Sequence, residues 1–321
     1  MLIRHSNLKP CGAAMKRRTF LEKSLKIGLG AGAYLAFGNR LTTYAGDAAA
    51  KKAPFDLVAV KGGEPDIMFN RAIQSLGGIK NFVKPNQTVV VKPNIGWDVP
   101  PEIAGNTHPG LVEHIVKQCL DAGAKDVYVF DHTCDKWSSC YMNSGIEKAV
   151  KDAGGKIVPG NMEKYYQEVD VPGGKILTHA KVHELILESD VFINVPVLKN
   201  HGGARLTIAM KNLMGVVWDR RFWHRNDLHQ CIADFATFRK PDLNVIDAYH
   251  VMKQNGPRGV SAADVVTLKS QILSTDMVAA DAAAARLFGM DPAEVPYIGM
   301  ADQLKVGTMD LSRLNIDRIV L

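Results

Sequence analysis

From residue 55 onward, short apolar runs alternate with amphipathic stretches. The runs 57–60, 88–92, 126–131, 191–196, 243–247 and 270–274 are brief and rich in β-branched residues. They read as buried parallel strands, because a strand covered on both faces is apolar throughout. Between them, apolar positions recur at helical spacing over 66–76, 109–122, 143–153, 182–188, 206–214, 227–238 and 277–288. Gly123, Gly154 and Gly289 follow three of these stretches, where a left-handed residue ends a helix cheaply. Pro109 stands at a helix start, its tolerated place. Pro172-Gly173-Gly174, inside 169–175, marks a hairpin or a connection between lobes. The alternation predicts an α/β fold, Rossmann-like, with a mostly parallel sheet and flanking helices. A length of about 270 residues beyond the leader suits one large domain or two intertwined lobes.

The first fifty residues follow another logic. Arg17-Arg18 precede Phe20-Leu21, an uncharged Gly/Ala-rich run spans 27–37, and Ala48-Ala49-Ala50 offers a cleavage site. This order is that of a twin-arginine export signal, read best from Met15. Residues 1–50 are therefore expected to be a signal peptide and 51–321 a periplasmic or otherwise exported domain, with the twin-arginine translocase as a transient partner. The apolar run is too short to span a bilayer, which takes about 20 residues, and no later segment is longer and charge-free.

The leader also explains the charge. The chain holds 39 Lys/Arg and 33 Asp/Glu; removing the leader's eight bases and two acids leaves 31 of each. The formal net charge of +6 thus belongs to the leader, and no basic stripe of the kind that binds nucleic acid remains. Cys119, Cys134, Cys140 and Cys231 follow the leader without a CxxC pair, which signals neither an iron–sulfur cluster nor a zinc ribbon. Cys134 and Cys140 are close enough to pair in an oxidising compartment.

Four of the expected strands run into uncommon polar residues: Lys92-Pro93-Asn94, Asp131-His132-Thr133, the run from Asn194 to Lys199-Asn200-His201-Gly202-Gly203, and Asp247. In open parallel sheets, ligands bind beyond the carboxyl ends of the strands. Lys199, His201 and Lys211 form the densest group, beside a glycine pair and a helix start that favours anions. Such a set suits a carboxylate or phosphate, and proton transfer where a lysine is partly desolvated. In this reading Lys199 and Lys211 hold the anion and His201 is the general acid/base. His108 assists catalysis, and Lys92, Asn94, Asn212, Asp247 and Asn255 complete the binding edge. Asp131 and His132 either orient each other or hold a divalent metal. Each of these residues also has a plainer use as a helix cap or loop polar group. His179 and His183 stand four apart, which suits a surface helix better than a metal site without a third ligand. The Arg/Trp-rich stretch 218–223, flanked by His224 and His229, reads as a lid or interface loop.

The segments VVVKPN at 89–94, NTHP at 106–109, VFDHT at 129–133, NVPVLKNHGGARLTIAMKNLMG at 194–215, VIDAYHVMKQNGPRG at 245–259 and STDMVAADAAAARLFGMDP at 274–292 together resemble the family of domain of unknown function 362. The resemblance spans nearly all of 55–321 and implies one α/β domain. Many relatives append a cysteine-rich iron–sulfur module, which this sequence lacks. The lysine/histidine block is also similar to that of nickel-dependent lactate racemases, which implies proton or hydride transfer by residues beyond a strand, as a fold-level analogy. The expectation is an exported enzyme for a small anionic substrate, with metal-assisted acid/base chemistry. The alternative is a non-catalytic periplasmic protein that binds a metal or ligand or assists a partner's maturation.

Overall fold

The computed structural model describes residues 54–321. The expected leader lies outside them. In chain order the elements are β1 (Leu57–Lys61), α1 (Pro65–Ser75), β2 (Thr88–Pro93), α2 (Pro109–Asp121), β3 (Asp126–Val129), α3 (Trp137–Asn143), α4 (Ile146–Asp152) and β4 (Lys156–Ile157). Then come β5 (Tyr166–Asp170), β6 (His179–His183), α5 (Glu184–Glu188), β7 (Val191–Val195), β8 (Val197–His201), β9 (Arg205–Thr207) and α6 (Ala209–Asn212). The last are α7 (Arg220–Arg225), α8 (Leu228–Phe235), β10 (Leu243–Met252), β11 (Val265–Ser274), α9 (Met277–Phe288), α10 (Pro296–Gln303) and β12 (Ile316–Val320).

Eight strands form one path, β12-β1-β11-β10-β7-β2-β3-β4, and β8 joins it through β10 while β9 pairs with β8. From β10 to β4 every pairing on that path is parallel. The exceptions to the expected parallel sheet are β11, which runs against both β10 and β1, and β9, which runs against β8. No crossover helix separates β10 from β11, so the chain returns antiparallel, as a short connection requires. The described residues 54–321 belong to one compact unit. The 169–175 turn region lies in the connection of a two-stranded antiparallel ribbon, β5–β6, as one of its two readings held.

Side chains alternate along a strand, and this divides the core into two layers. Val90, Phe192, Ile246 and Ile272 pack with α8, α9 and α10 on one face. Val89, Val91, Ile193, Val195, Val245 and Leu273 pack with α1 and α2 on the other. Each fully buried Val, Leu, Ile or Phe contributes about 1.5–3 kcal/mol through removal from water. Caps fix the helices locally. Asp276 accepts from the Val278 and Ala279 N–H groups at the start of α9, and Gly289 ends it with φ +95°. His108, just before Pro109, caps α2 through the Gly110 N–H.

Several helical expectations shorten. Only 184–188 of the stretch 182–188 is helical; Val182 and His183 belong to β6. His179 and His183 therefore share a strand face and not a helix, with His183 buried and packed on Phe130. The stretch 143–153 breaks at Gly145, which is left-handed between α3 and α4. The stretch 206–214 opens as β9 and becomes helical only at Ala209.

Candidate functional site

The inner layer carries the chemistry. Lys92 follows Val90 by two residues, Asn194 follows Phe192, and Asn244 precedes Ile246, so all three share one face. The register sets them side by side: Lys92 beside Asn194, Asn194 beside Asn244, and Asn244 beside Ser274. This polar row crosses four adjacent strands: Lys92, Asn194 and Ser274 stand near the carboxyl ends of β2, β7 and β11, and Asn244 near the amino end of β10. Amide hydrogen bonds link it: Asn194 Nδ2 donates to Asn244 Oδ1 at 3.0 Å, and Asn212 Nδ2 donates to Asn194 Oδ1 at 2.9 Å. Asn94 Nδ2 donates to Asn212 Oδ1 at 3.0 Å.

Two lysines end on this network. Lys92 Nζ donates to Asn212 Oδ1 at 2.8 Å and pairs with Asp131 Oδ1 at 2.9 Å, with both side chains buried. The second Asp131 oxygen accepts from the Ile95 N–H at 2.7 Å. Lys199 Nζ donates to the Gly105 carbonyl at 2.5 Å and to Asn94 Oδ1 at 3.2 Å. Its expected loop is in fact strand: Lys199, Asn200 and His201 lie on β8, paired with Thr207, Leu206 and Arg205 of β9. The hairpin turns at Gly202-Gly203, so alternation aims Lys199 and His201 to one side. Glycine is required at 215, where a Cβ would overlap the Asp131 carboxylate and the Lys92 ammonium.

A cavity of about 430 Å³ opens onto these groups. Its wall includes Lys92, Asn94, Asp131, His132, Lys199, His201, Lys211 and Asn212, eight of the residues singled out from the sequence. Lys211 rises from α6, whose first N–H groups are held by the buried Asp281 of α9: Ala209 N donates to Oδ1 at 2.7 Å and Met210 N to Oδ2 at 3.1 Å. Burial pushes the Asp281 carboxyl up to about 8 although both N–H donors favour its ionised form.

Burial lowers the lysines too. Lys199 is pushed down to about 7, first by desolvation and then by its cationic neighbours. Lys211 is pushed down to about 8, again chiefly by desolvation, with Arg220 and Lys92 adding repulsion. Desolvation also lowers Lys92, but Asp131 opposes the shift. Asp131 is thus the one carboxylate among three lysines on the cavity wall. His201 is pushed down to about 2 by burial and by Lys211 and Lys199, so its ring is neutral. Nδ1 of His201 accepts from the Gly203 and Ala204 N–H groups, each at 3.1 Å, which leaves the ring proton on Nε2.

Residues 89–286, more than half of the chain, match the family described as Domain of unknown function (DUF362). The chain belongs to that family. Every residue lining the cavity falls inside the matched stretch. A thylakoid-associated protein of Synechocystis sp. is 26% identical over 251 residues, covering 72% of each chain. Among solved structures, the lactate racemase apoprotein of Thermoanaerobacterium thermosaccharolyticum is similar over 72% of this chain and 56% of that one, with a TM-score of 0.47 and 11% identity. A Thermotoga maritima protein is similar over 75% and 60%, with a TM-score of 0.44 and 11% identity. The chain therefore spans less than two thirds of either solved protein.

Three expected members of the DUF362 site lie elsewhere. His108 is spent as the α2 cap, and its ring packs near Tyr249 and His250. Asp247 is buried and accepts from the His108 N–H at 2.7 Å and the Tyr249 N–H at 3.0 Å; desolvation raises its pKa. Asn255, left-handed with φ +57°, donates to Asp264. Asp131 and His132, the candidate metal pair, have protein partners. The Asp131 carboxylate is engaged by Lys92 and Ile95, while His132 Nδ1 faces the Val217 carbonyl at 2.9 Å. Among the described residues, no three His, Cys, Asp or Glu side chains cluster as metal ligands. Cys134 and Cys140 are free thiols, one exposed and one buried beneath the Gly96 carbonyl.

Other wall residues were given no place in this site by the sequence. Thr207 stands opposite Lys199 on β9, only 3% exposed, with no partner for its hydroxyl. Arg220 donates to the carbonyls of His132 and Thr133 at 2.8 and 2.7 Å and to Cys134 Sγ at 3.4 Å. Arg221 and His224 complete the rim; burial, Lys211 and Arg220 lower the His224 pKa, so the added positive charge is that of Arg221. The Arg/Trp-rich stretch 218–223 with His224 was the signal for these three.

Proposed function

We propose that this DUF362 protein is an exported enzyme that binds a small carboxylate or phosphate and moves a proton with Lys199. The observation that carries the reading is the charge imbalance of the cavity. Lys92, Lys199, Lys211, Arg220 and Arg221 line it, with Asp131 alone against them, and Asp131 is already committed to Lys92. A bound anion would supply the missing negative charge and stabilise the ammonium forms of Lys199 and Lys211. The orphan Thr207 hydroxyl offers the anion a further donor. Lys199, poised near neutrality, can then take up or release a proton at Nζ. His201 serves as a neutral donor through Nε2 and not as the base, because Nδ1 is occupied. The Arg17-Arg18 leader pattern supports the exported part of this reading.

Thermal shift of the purified protein with a panel of small carboxylates and phosphates tests the binding, and NMR-monitored deuterium exchange from solvent into a bound ligand tests the proton transfer. Stabilisation by an anion and exchange that is lost in Lys199→Met support the reading. Absence of any anion-dependent shift would overturn it, and binding without exchange would favour the non-catalytic alternative.

A further inference from the structure

The lysine cavity does not end at Arg220. A larger cavity, about 810 Å³, continues on the other side of that residue, and His132, Cys134, Arg220 and Arg221 line both. It lies between the β5–β6 ribbon and the segment 217–223. Arg220 cannot act as a swinging gate between them without losing its bonds to two backbone carbonyls and a thiol. It is a fixed post that borders both spaces.

Size separates the two. A carboxylate of six heavy atoms, each taking about the 30 Å³ that water occupies in the liquid, needs roughly 180 Å³. The lysine cavity alone holds that with room to spare. Ligand sites of about 300–1,000 Å³ usually enclose most of their ligand, so the additional 810 Å³ is unexplained by a small anion.

Chemistry separates them as well. The wall of the larger cavity carries a stacked aromatic pair, His132 on Trp218, with centroids 4.9 Å apart and an interplanar angle of 4°. Tyr166 closes on Trp218 at 5.3 Å. His132 is pushed down to about 4 by burial and by Arg220, so this stack is uncharged. Phe222 and Ile176 border the same space with 39% and 37% of their surface exposed, unusual for side chains so apolar. Glu163, Glu168 and Asp219 also line it, balanced by Lys181, Arg220 and Arg221, so this wall lacks the excess of positive charge that calls for an anion.

We propose that the two cavities form one bipartite site for a ligand with a single anionic head and a planar aromatic tail. The head is held by Lys199 and Lys211, and the tail lies against Trp218 and Phe222. The proposal rests on the anion reading above, and the test keeps the two apart.

Titration calorimetry of the full chain compares methylphosphonate with 1-naphthylphosphonate, which share a head and differ only in the tail. The naphthyl compound is expected to bind at least ten-fold more tightly. Phe222→Ala should remove most of that advantage and leave methylphosphonate affinity unchanged; its exposed ring makes misfolding no concern. Trp218→Ala is the second variant, checked by thermal unfolding. Equal affinities for the two compounds would overturn the aromatic subsite and leave the anion site standing. So would an advantage that survives both variants. Failure of both compounds to bind would overturn the anion reading and this proposal with it. Tight naphthyl binding that is insensitive to Lys199→Met and Lys211→Met would also overturn the bipartite site, because the head would not be where the site requires it.

Discussion

Replacing Asp131 by Asn isolates the charge balance on which the site depends. The change keeps size and shape, and one side-chain oxygen can still accept from the Ile95 N–H. What disappears is the negative charge 2.9 Å from Lys92 Nζ, in a place where both side chains are buried. Breaking a buried pair by removing one partner costs about 3–5 kcal/mol, because the other charge stays desolvated. At about 2–4 °C per kcal/mol for a domain of this size, the melting temperature should fall by roughly 6–20 °C. The sign of the pH dependence follows. Without Asp131, burial holds the Lys92 pKa further below its ordinary value, so the folded variant binds fewer protons than the unfolded chain. Its deficit should therefore shrink as pH rises above neutrality. The double variant Lys92→Met, Asp131→Asn removes both charges and should recover most of the loss. Thermal unfolding followed by circular dichroism at pH 7 and pH 9 reads all three effects. A loss below about 1 kcal/mol, or a double variant no better than the single, would refute the reasoning.

Asp281→Ala leaves the Ala209 and Met210 N–H groups buried without an acceptor, at about 1–3 kcal/mol each. It should also weaken anion binding by displacing Lys211, measured by denaturant unfolding and ligand titration on the same sample. In the native protein, iodoacetamide should modify Cys134 rapidly and spare Cys119, Cys140 and Cys231, which are buried. Mass spectrometry of labelled peptides decides this, and after unfolding without reductant all four should label. Changing both Arg17 and Arg18 to Lys should leave the precursor in the cytoplasm, as cell fractionation and immunoblotting would show; normal export would contradict the signal reading.

The sequence carried the layered α/β plan because buried strands announce themselves as β-branched runs, and α9 matched its expected span to the residue. It carried the lysine cluster because Lys92, Asn94, Asp131 and Lys199 sit at or near strand ends. The misses have physical causes. Lys199-Asn200-His201 carries no apolar pattern, so β8 was invisible until its pairing with β9 and β10 supplied the reason for it. The direction of β11 depends on the length of the return from β10, which an apolar run does not encode. His108 and Asp247 have the residue types of a site, yet backbone N–H groups use them up as cap and loop support. Thr207 falls in the stretch 206–214 expected to be helical, and only the register of β9 opposite Lys199 brings it to the cavity.

Calorimetric titration of oxalate at pH 6.5 and pH 9 tests the central claim most directly, when run in buffers of different ionisation enthalpy. With Lys199 at about 7 and Lys211 at about 8, both are largely ammonium at the lower pH and largely neutral at the higher. The account predicts affinity at least ten-fold weaker at pH 9, with proton uptake on binding there approaching two per site, and loss of binding in the Lys199→Met, Lys211→Met double variant. Equal affinity at both pH values without proton uptake, or unchanged binding by the double variant, would contradict it.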